Sequence, residues 1–200
     1  YWIDDGSGGN PQFCSDQDGN GAIDEATERV DAITTTLPGP PNEMRLSADD
    51  TRIYARDRSF EQIEIIDLAT RQTIDTLTLS EGSTHVRIRN YVVSPDDRYL
   101  FVTENVNSGK DPQNRKLWRF DLTPAGSVVP GTQKMLFDWG SDRGPDGMAI
   151  DQAGRLYVTA GFNFPQSPGE SVKKHKAGVY VISPAGKLIQ FITVPVSYTQ

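Results

Sequence analysis

The sequence predicts an all-β fold made of repeated four-stranded units, and two observations carry this prediction. First, three stretches share a short apolar strand, a polar turn of the Ser-Pro-Asp-Asp type and a second strand that opens on an apolar-aromatic pair. These stretches are 44–54, 92–101 and 148–157. Second, their turns open at Ser47, Ser94 and Asp151, which are 47 and 57 residues apart. A repeat of about 40 to 50 residues with several strands is typical of a β-propeller blade.

Each unit divides into four predicted strands, named a to d in chain order, with a as the inner strand. The three predicted blades are 41–80, 84–138 and 144–196. The third strands end alike, in Ile-Asp-Leu, Phe-Asp-Leu and Ile-Ser-Pro. From the first turn to this end the distance grows from 20 to 27 to 32 residues, and the extra length falls between strands b and c.

The increasing length of the connections between strands b and c predicts where a binding face lies. In an antiparallel meander, the b–c connections lie at the same end of a blade as the residues that begin strand a. The long connections 104–116 and 161–176 should therefore share one face with the beginnings of the inner strands. Long loops gathered on a rigid scaffold are where binding sites concentrate.

The first 40 residues differ from the rest of the chain. Residues 1–22 are rich in Gly, Asp and Asn and predict loop, whereas 23–37 has apolar residues at helical spacing. The run 38–41, Pro-Gly-Pro-Pro, would end this helix. We therefore expect a calcium-loop and helix segment over 1–40 and propeller blades over 41–200.

Three blades are fewer than a closed ring requires, since propellers use roughly four to eight. An open arc leaves apolar blade faces and strand edges bare. We expect part of a larger ring, with either further blades after Gln200 or self-association with another copy. The predicted packing role of Trp118 and Trp139 is between blades.

Composition excludes several classes of function. The 200 residues carry a net charge of −7 and a pI near 4.8, which argues against a nucleic-acid partner. No apolar run is long enough for a membrane span.

The chain begins at Tyr1 without an initiator Met or a signal peptide, which indicates processing or excision. We expect a secreted or periplasmic location. Cys14 is the lone cysteine, and a spectator role is expected for it.

The sharpest local motif is Asp16-Gln-Asp-Gly-Asn-Gly-Ala-Ile-Asp24. Its spacing matches the first nine positions of an EF-hand-type calcium loop. The predicted Ca²⁺ ligands are Asp16, Asp18, Asn20, Ala22 through its carbonyl, and Asp24. At position 12, where a bidentate Glu belongs, the chain has Thr27. The alternative is an Asx-rich turn that caps the following segment.

A second motif carries a resemblance to a known family. The stretch 145–158 follows the pattern P-D-G-M-x-x-D-x-x-G-x-L-Y-V, and 98–122 and 178–188 continue it on either side. Together, about 84–196 resembles the regucalcin/gluconolactonase (senescence-marker-protein) family. These proteins are six-bladed propellers that bind a divalent metal at the channel mouth and hydrolyse sugar lactones and related esters. The first blade is more similar to surface-layer-type propeller repeats.

The resemblance also implies site residues. Asp146 matches the family's metal-binding and catalytic Asp at the start of an inner strand. Asn90 is the candidate for the family's Asn ligand, but it lies one residue closer to its turn than Asp146 does. Because strands alternate faces, an uncompensated shift would point Asn90 away from the channel. Asn42 keeps the same five-residue offset from its turn as Asp146. The family's Glu ligand has no counterpart here.

Two functions from different classes remain open. The first is a metal-dependent lactone or ester hydrolase, in which a divalent cation, Ca²⁺ or Zn²⁺, polarises the carbonyl of a small-molecule lactone or ester. Asp146 would hold the metal and help to activate water. The alternative is a non-catalytic secreted β-propeller used for binding or surface display. His85 and His175 lack metal-ligand spacing and support neither function.

Overall fold

A computed structural model of the protein describes residues 2–3, 12–14, 19–20, 22, 29–30, 41–57, 61–81, 84–85, 87–105, 115–163, 171 and 174–194. Within these ranges the regular structure is β-strand throughout, with no helix. Most of the strands belong to three four-stranded sheets, and every pair in them is antiparallel. The predicted all-β fold of four-stranded propeller blades is confirmed.

The strands follow the chain in simple order. Three short N-terminal strands form one sheet: β1 (Trp2–Ile3), β2 (Gln12–Cys14) and β3 (Arg29–Val30). The first four-stranded sheet contains β4 (Glu43–Leu46), β5 (Arg52–Arg56), β6 (Gln62–Asp67) and β7 (Gln72–Thr78). A short pair follows, β8 (Ser80–Glu81) and β9 (Thr84–His85). The second sheet contains β10 (Ile88–Val93), β11 (Tyr99–Glu104), β12 (Lys116–Asp121) and β13 (Lys134–Asp138). The third contains β14 (Met148–Ile150), β15 (Leu156–Ala160), β16 (Gly178–Ile182) and β17 (Leu188–Thr193).

Each four-stranded sheet is a meander in which consecutive strands pair. All three sheets also carry a register shift between their third and fourth strands, at 65/66, 117/118 and 181/182. Such a bulge increases the local twist of the outer pair. The repeat recognised from the turns is therefore a repeat of the whole four-stranded unit.

The chain forms two compact units. One contains residues 1–46 and 50–78, and with them the first four-stranded sheet. The other contains residues 47–49 and 79–200, and with them the second and third sheets. Within this second unit, the inner strands β10 and β14 of consecutive sheets lie against each other.

The repeated a–b turns share one backbone conformation. Their fourth residues, Asp50, Asp97 and Gly154, have φ values of 56°, 55° and 76°. In two of these turns the fourth amide donates to the carbonyl of the first residue, Ser94 at 2.9 Å and Asp151 at 2.8 Å. Asp and Gly tolerate this left-handed conformation better than most residues, which explains why the turn sequence recurs.

The core of the second unit lies between its two sheets. Trp139, which follows β13, is buried and packs edge-on against Tyr180 of β16, with ring centroids 5.7 Å apart. Trp118 is also buried, with the Lys116 ammonium 5.6 Å from its ring centroid. The predicted packing of Trp139 between blades is confirmed. The core cluster that contains Trp139 and Tyr180 also includes Val92, Phe101, Leu117, Met148, Leu156, Val158 and Ile182.

The last strand of the third sheet is exposed along its whole length. It carries four exposed large apolar side chains, Leu188, Ile189, Phe191 and Ile192. Strands β14 to β16 of the same sheet contain the buried side chains Met148, Leu156, Val158, Tyr180 and Val181.

The predicted N-terminal helix over 23–37 is wrong where the structure describes it. Arg29 and Val30 form strand β3, which pairs with Cys14 and Phe13 of β2. Backbone pairing with a distant strand overrides a weak local helical pattern, and β-branched Val30 suits a strand. The remainder of 23–37 lies outside the described residues. In the part of the chain that the structure covers, no helix has the length and apolarity that a bilayer crossing requires.

Candidate functional site

Asp146 stands just before the inner strand β14, where the backbone is held firmly. Its amide donates to the carbonyl of Thr159 at 2.8 Å, and the Gly147 amide donates to the Thr159 hydroxyl at 2.8 Å. The Asp146 side chain itself is 66% exposed. A fixed backbone with a solvent-facing carboxylate is a suitable geometry for a group that meets a ligand.

The side chain that reaches Asp146 comes from the neighbouring inner strand. Arg89 of β10 places its Nε at 2.6 Å and its Nη2 at 2.5 Å from the Oδ1 of Asp146. Both hydrogen bonds end on this one carboxylate oxygen, and the Arg89 side chain is 47% exposed. The two residues are 57 positions apart in sequence, and the packing of β10 against β14 brings them together.

A bulge in β10 determines which residue meets Asp146. Ile88 pairs with Glu104 and Asn90 pairs with Thr103, so Arg89 is the extra residue between them. The Thr103 hydroxyl donates to the carbonyl of Asn90 at 3.2 Å, as the Thr159 hydroxyl does to that of Gly147 at 3.3 Å. Asn90 therefore occupies the position of Gly147, and Arg89 occupies the position of Asp146.

Asn42 is placed on its own blade as Asp146 is on the third. Its amide donates to the carbonyl of Arg56 at 2.7 Å, which repeats the bond from Asp146 to Thr159. Its side chain is exposed. Asn42, Arg89 and Asp146 are thus the residues at one repeated position, just before or at the start of each inner strand. Asn42 belongs to the first compact unit, whereas Arg89 and Asp146 belong to the second.

The described ends of both long b–c connections lie beside the segment that leads into β14. The side-chain amide of Asn105 donates to the carbonyl of Pro145 at 2.7 Å. The amide of Ser171 donates to the carbonyl of Ser141 at 2.8 Å. The described ends of the two connections thus lie where the sequence predicts them, whereas most of both connections lies outside the described residues.

A buried carboxylate organises the end of the longer connection. Asp142 accepts hydrogen bonds from the hydroxyl of Ser171 at 2.6 Å and from the amides of Lys174 at 2.9 Å and His175 at 2.6 Å. The Nδ1 of His175 lies 3.3 Å from the Oδ2 of Asp142. Burial, together with the nearby Asp142 carboxylate, raises the pKa of Tyr180, whose hydroxyl donates to the Lys176 carbonyl at 2.7 Å. The hydrogen bonds to Asp142 hold the backbone in place at the end of the 161–176 connection.

Two further charged residues, Glu104 and Arg115, are fully buried at the ends of the 104–116 connection. A Cβ added at Gly144 would lie 2.7 Å from the Cβ of Arg115, so only glycine allows this approach.

Sequence reasoning missed Arg89, Glu104, Arg115 and Asp142 as parts of this face. For Arg89 the sequence did contain a signal, because Arg89 lies five residues before its turn, as Asp146 does.

The donors that the structure describes near Asp146 do not fit a divalent cation. Among the residues that the structure describes, no three His, Cys, Asp or Glu side chains cluster as such a site requires. The nearest charged partner of Asp146 is the guanidinium of Arg89. A positive charge about 4 Å from a guanidinium is repelled by about 1 kcal/mol per unit charge in water. At an effective dielectric constant of about 20 the repulsion is about 4 kcal/mol per unit charge. No catalytic step through a metal follows from these residues.

The predicted calcium loop lies largely outside the described residues, including Asp16, Asp18 and Asp24. Asn20 and Ala22 are exposed, and the amide of Ala22 donates to the Oδ1 of Asn20 at 2.7 Å. Gly19 has a φ of 74°. An Asx turn of this kind is compatible with the calcium loop and with the Asx-rich turn. Calcium binding at this loop stays a prediction.

Comparison of the chain with protein families identifies its relatives. Residues 73–200 match the model of the SMP-30/gluconolactonase/LRE-like region. The chain belongs to this family. The match contains the second and third sheets with Arg89 and Asp146, and it agrees with the resemblance over 84–196. A comparison with curated protein sequences finds no match.

Solved structures similar to this SMP-30/gluconolactonase/LRE-like chain show the fold. A protein from Lactobacillus plantarum matches with a TM-score of 0.56 and 17% identity over 92% of this chain and 50% of its own. A "putative 6-phosphogluconolactonase" from Bacteroides uniformis matches with a TM-score of 0.54 and 13% identity over 95% and 49%. The β-propeller domain of Cps50 (Swd1) from Myceliophteria thermophila matches with a TM-score of 0.50 and 15% identity over 76% and 43%. The chain thus spans about half the length of these structures or less.

Proposed function

We propose that the protein hydrolyses a small-molecule lactone or ester, with Asp146 as the group that activates water. The observation that carries the proposal is the placement of Asp146. Within the family match, this exposed carboxylate lies at the start of an inner strand. The ends of the two long connections lie beside the same segment, at Pro145 and Ser141. One fold neighbour is described as a "putative 6-phosphogluconolactonase", which would act on the same class of substrate.

The two oxygens of the Asp146 carboxylate have different surroundings. Oδ1 accepts both hydrogen bonds from Arg89, which orients the carboxylate. Oδ2 takes no part in this pair and belongs to a side chain that is mostly exposed. A general base must lie within hydrogen-bond reach of the proton that it removes, and a water molecule on Oδ2 meets this condition. Asp146 would therefore remove a proton from water as the water attacks the substrate carbonyl.

The test is hydrolysis of a panel of five- and six-membered sugar lactones and an aryl ester by the full-length protein. We expect Asp146→Asn to lower kcat/KM by about 10²- to 10⁴-fold, because the amide cannot accept the proton. Asp138→Asn is the matched control, since Asp138 is also exposed and its carboxylate accepts a bond from the Gly140 amide instead. If the wild type hydrolyses none of these substrates, or if Asp146→Asn matches the wild type, a binding module replaces the hydrolase.

A further inference from the structure

We propose that the guanidinium of Arg89 takes the role of the cation at this site, so that hydrolysis proceeds without a divalent metal at Asp146. The inference rests on the proposed hydrolase function and names the group that polarises the carbonyl. It follows from the disagreement between the metal that the family resemblance implies and the residues that surround Asp146 in this chain.

The position of Arg89 supports this role. The bulge in β10 puts Arg89 at the strand position that Asp146 occupies on the next inner strand. Its guanidinium nitrogens are 2.5–2.6 Å from the Asp146 carboxylate and make charge-assisted hydrogen bonds to it. A guanidinium is permanently charged and offers five N–H donors, so it serves both a carboxylate and a carbonyl oxygen.

The exposure of the pair allows Arg89 to change partners. Both side chains are partly in water, and exposed ion pairs contribute little to stability. Nε and Nη2 of Arg89 contact Asp146. When a substrate enters, a guanidinium N–H can therefore move onto the substrate oxygen at small cost. The carboxylate remains beside it to receive a proton.

The chemical step balances with these two groups and water. Water attacks the acyl carbon and gives one proton to Asp146, while the π electrons of the carbonyl move onto its oxygen. N–H groups of Arg89 donate to this oxyanion and stabilise it. The intermediate then collapses and breaks the bond to the ring or ester oxygen, which takes the proton from Asp146. The products are the hydroxy acid from a lactone, or an acid and an alcohol from an ester.

The experiment measures hydrolysis by the full-length protein in excess chelator and in added Ca²⁺, Zn²⁺ or Mn²⁺. We expect the same rate in all conditions. Arg89→Ala should lower kcat/KM by about 10²- to 10³-fold, the usual loss for one oxyanion donor. Guanidinium chloride at low millimolar concentration should restore part of this activity, whereas a structural role would give no such rescue. Arg87→Ala, at an exposed arginine two residues earlier, is the matched control and should behave as the wild type.

A binding measurement separates this inference from the proposed function. The melting temperatures of the wild type and Asp146→Asn are compared in chelator and in each metal, and we expect identical metal-induced shifts. Any calcium site in the N-terminal segment affects both proteins equally. Hydrolysis that needs a metal, or a metal-induced shift that Asp146→Asn removes, would overturn the role of Arg89 and leave the hydrolase standing. Absence of hydrolysis on every substrate would overturn both.

Discussion

The carboxylate of Asp142 accepts a hydrogen bond from the backbone amide of His175, 33 residues further along the chain, at 2.6 Å. It also accepts bonds from the Ser171 hydroxyl and the Lys174 amide. These bonds satisfy two backbone donors of a segment that has no strand partner at those positions. One buried carboxylate thus fixes where the chain returns to β16 after the long connection.

Loss of the Asp142 charge should destabilise the protein. We expect Asp142→Asn to lower the free energy of unfolding by about 1–3 kcal/mol, because a neutral amide accepts these buried hydrogen bonds poorly and turns a donor toward other donors. Urea unfolding followed by fluorescence provides the measurement. Asp138→Asn, at an exposed position of the same segment, should change stability by less than half as much. Equal effects of the two substitutions would contradict the anchoring role of Asp142.

The left-handed residue of the third a–b turn should tolerate aspartate better than alanine. Gly154 has a φ of 76°, and a Cβ there would lie 3.1 Å from the Cγ of Pro184. We expect Gly154→Ala to cost about 1–2 kcal/mol, the usual penalty for this conformation. Gly154→Asp should cost less, since aspartate occupies the equivalent positions 50 and 97 with φ values of 56° and 55°. Thermal unfolding of both variants checks the order, and the reverse order would refute the equivalence of the turns.

Stability at low pH should depend on Asp96. The Ser94 hydroxyl donates to this carboxylate at 2.6 Å and is the main cause that holds its pKa below the usual value of 3.8. A depressed pKa in the folded state means that the unfolded state binds the proton first as the pH falls. This contribution is therefore present above about pH 4 and is lost as the pH falls through the folded-state pKa.

Removal of the Ser94 hydroxyl tests this dependence. In Ser94→Ala, the pKa of Asp96 should rise toward 3.8, and stability should fall less steeply between about pH 4 and pH 2. The pKa of the Asp96 side-chain carboxyl is measured by NMR titration across this pH range. Ser183→Ala is the control, because the Ser183 hydroxyl accepts a bond from the Lys187 amide in a different turn. An unchanged Asp96 titration in Ser94→Ala would contradict the assignment.

Calcium binding by the N-terminal loop remains a prediction from the sequence alone. Five oxygen donors at EF-hand spacing predict that Ca²⁺ raises the melting temperature, as ligand linkage requires. We expect Asp18→Ala to abolish most of this rise. Asp4→Ala changes an acidic residue outside the motif and should keep it. A melting temperature that is the same in chelator and in millimolar Ca²⁺ would leave the Asx-rich turn as the explanation.

The architecture of this protein could be predicted because its signals are local. The turns at Ser47, Ser94 and Asp151 place a residue in the left-handed conformation, and only a few residue types adopt it readily. The flanking strands are short and apolar, and each pairs with its neighbour along the chain. Local signals failed at Arg29 and Val30, where pairing with β2 decided the structure.

The composition of the site could be predicted only in part. The motif around Asp146 identified one carboxylate and the face on which it lies. The partner of that carboxylate, Arg89, depends on a bulge in β10 and on the contact between two inner strands. A shift of one residue in a strand exchanges the side chains that face a neighbour, and a sequence without its pairing partner does not reveal such a shift.

The sequence by itself determined the repeat, the order of the strands and the end of the blades where Asp146 lies, because turn conformation and strand alternation act over a few residues. The tertiary structure alone decided that a guanidinium meets Asp146, and that Asp142 anchors the chain at His175. These pairs are 57 and 33 residues apart. Such contacts form only when strand register and sheet packing bring distant backbone segments together, and both depend on the whole set of pairings.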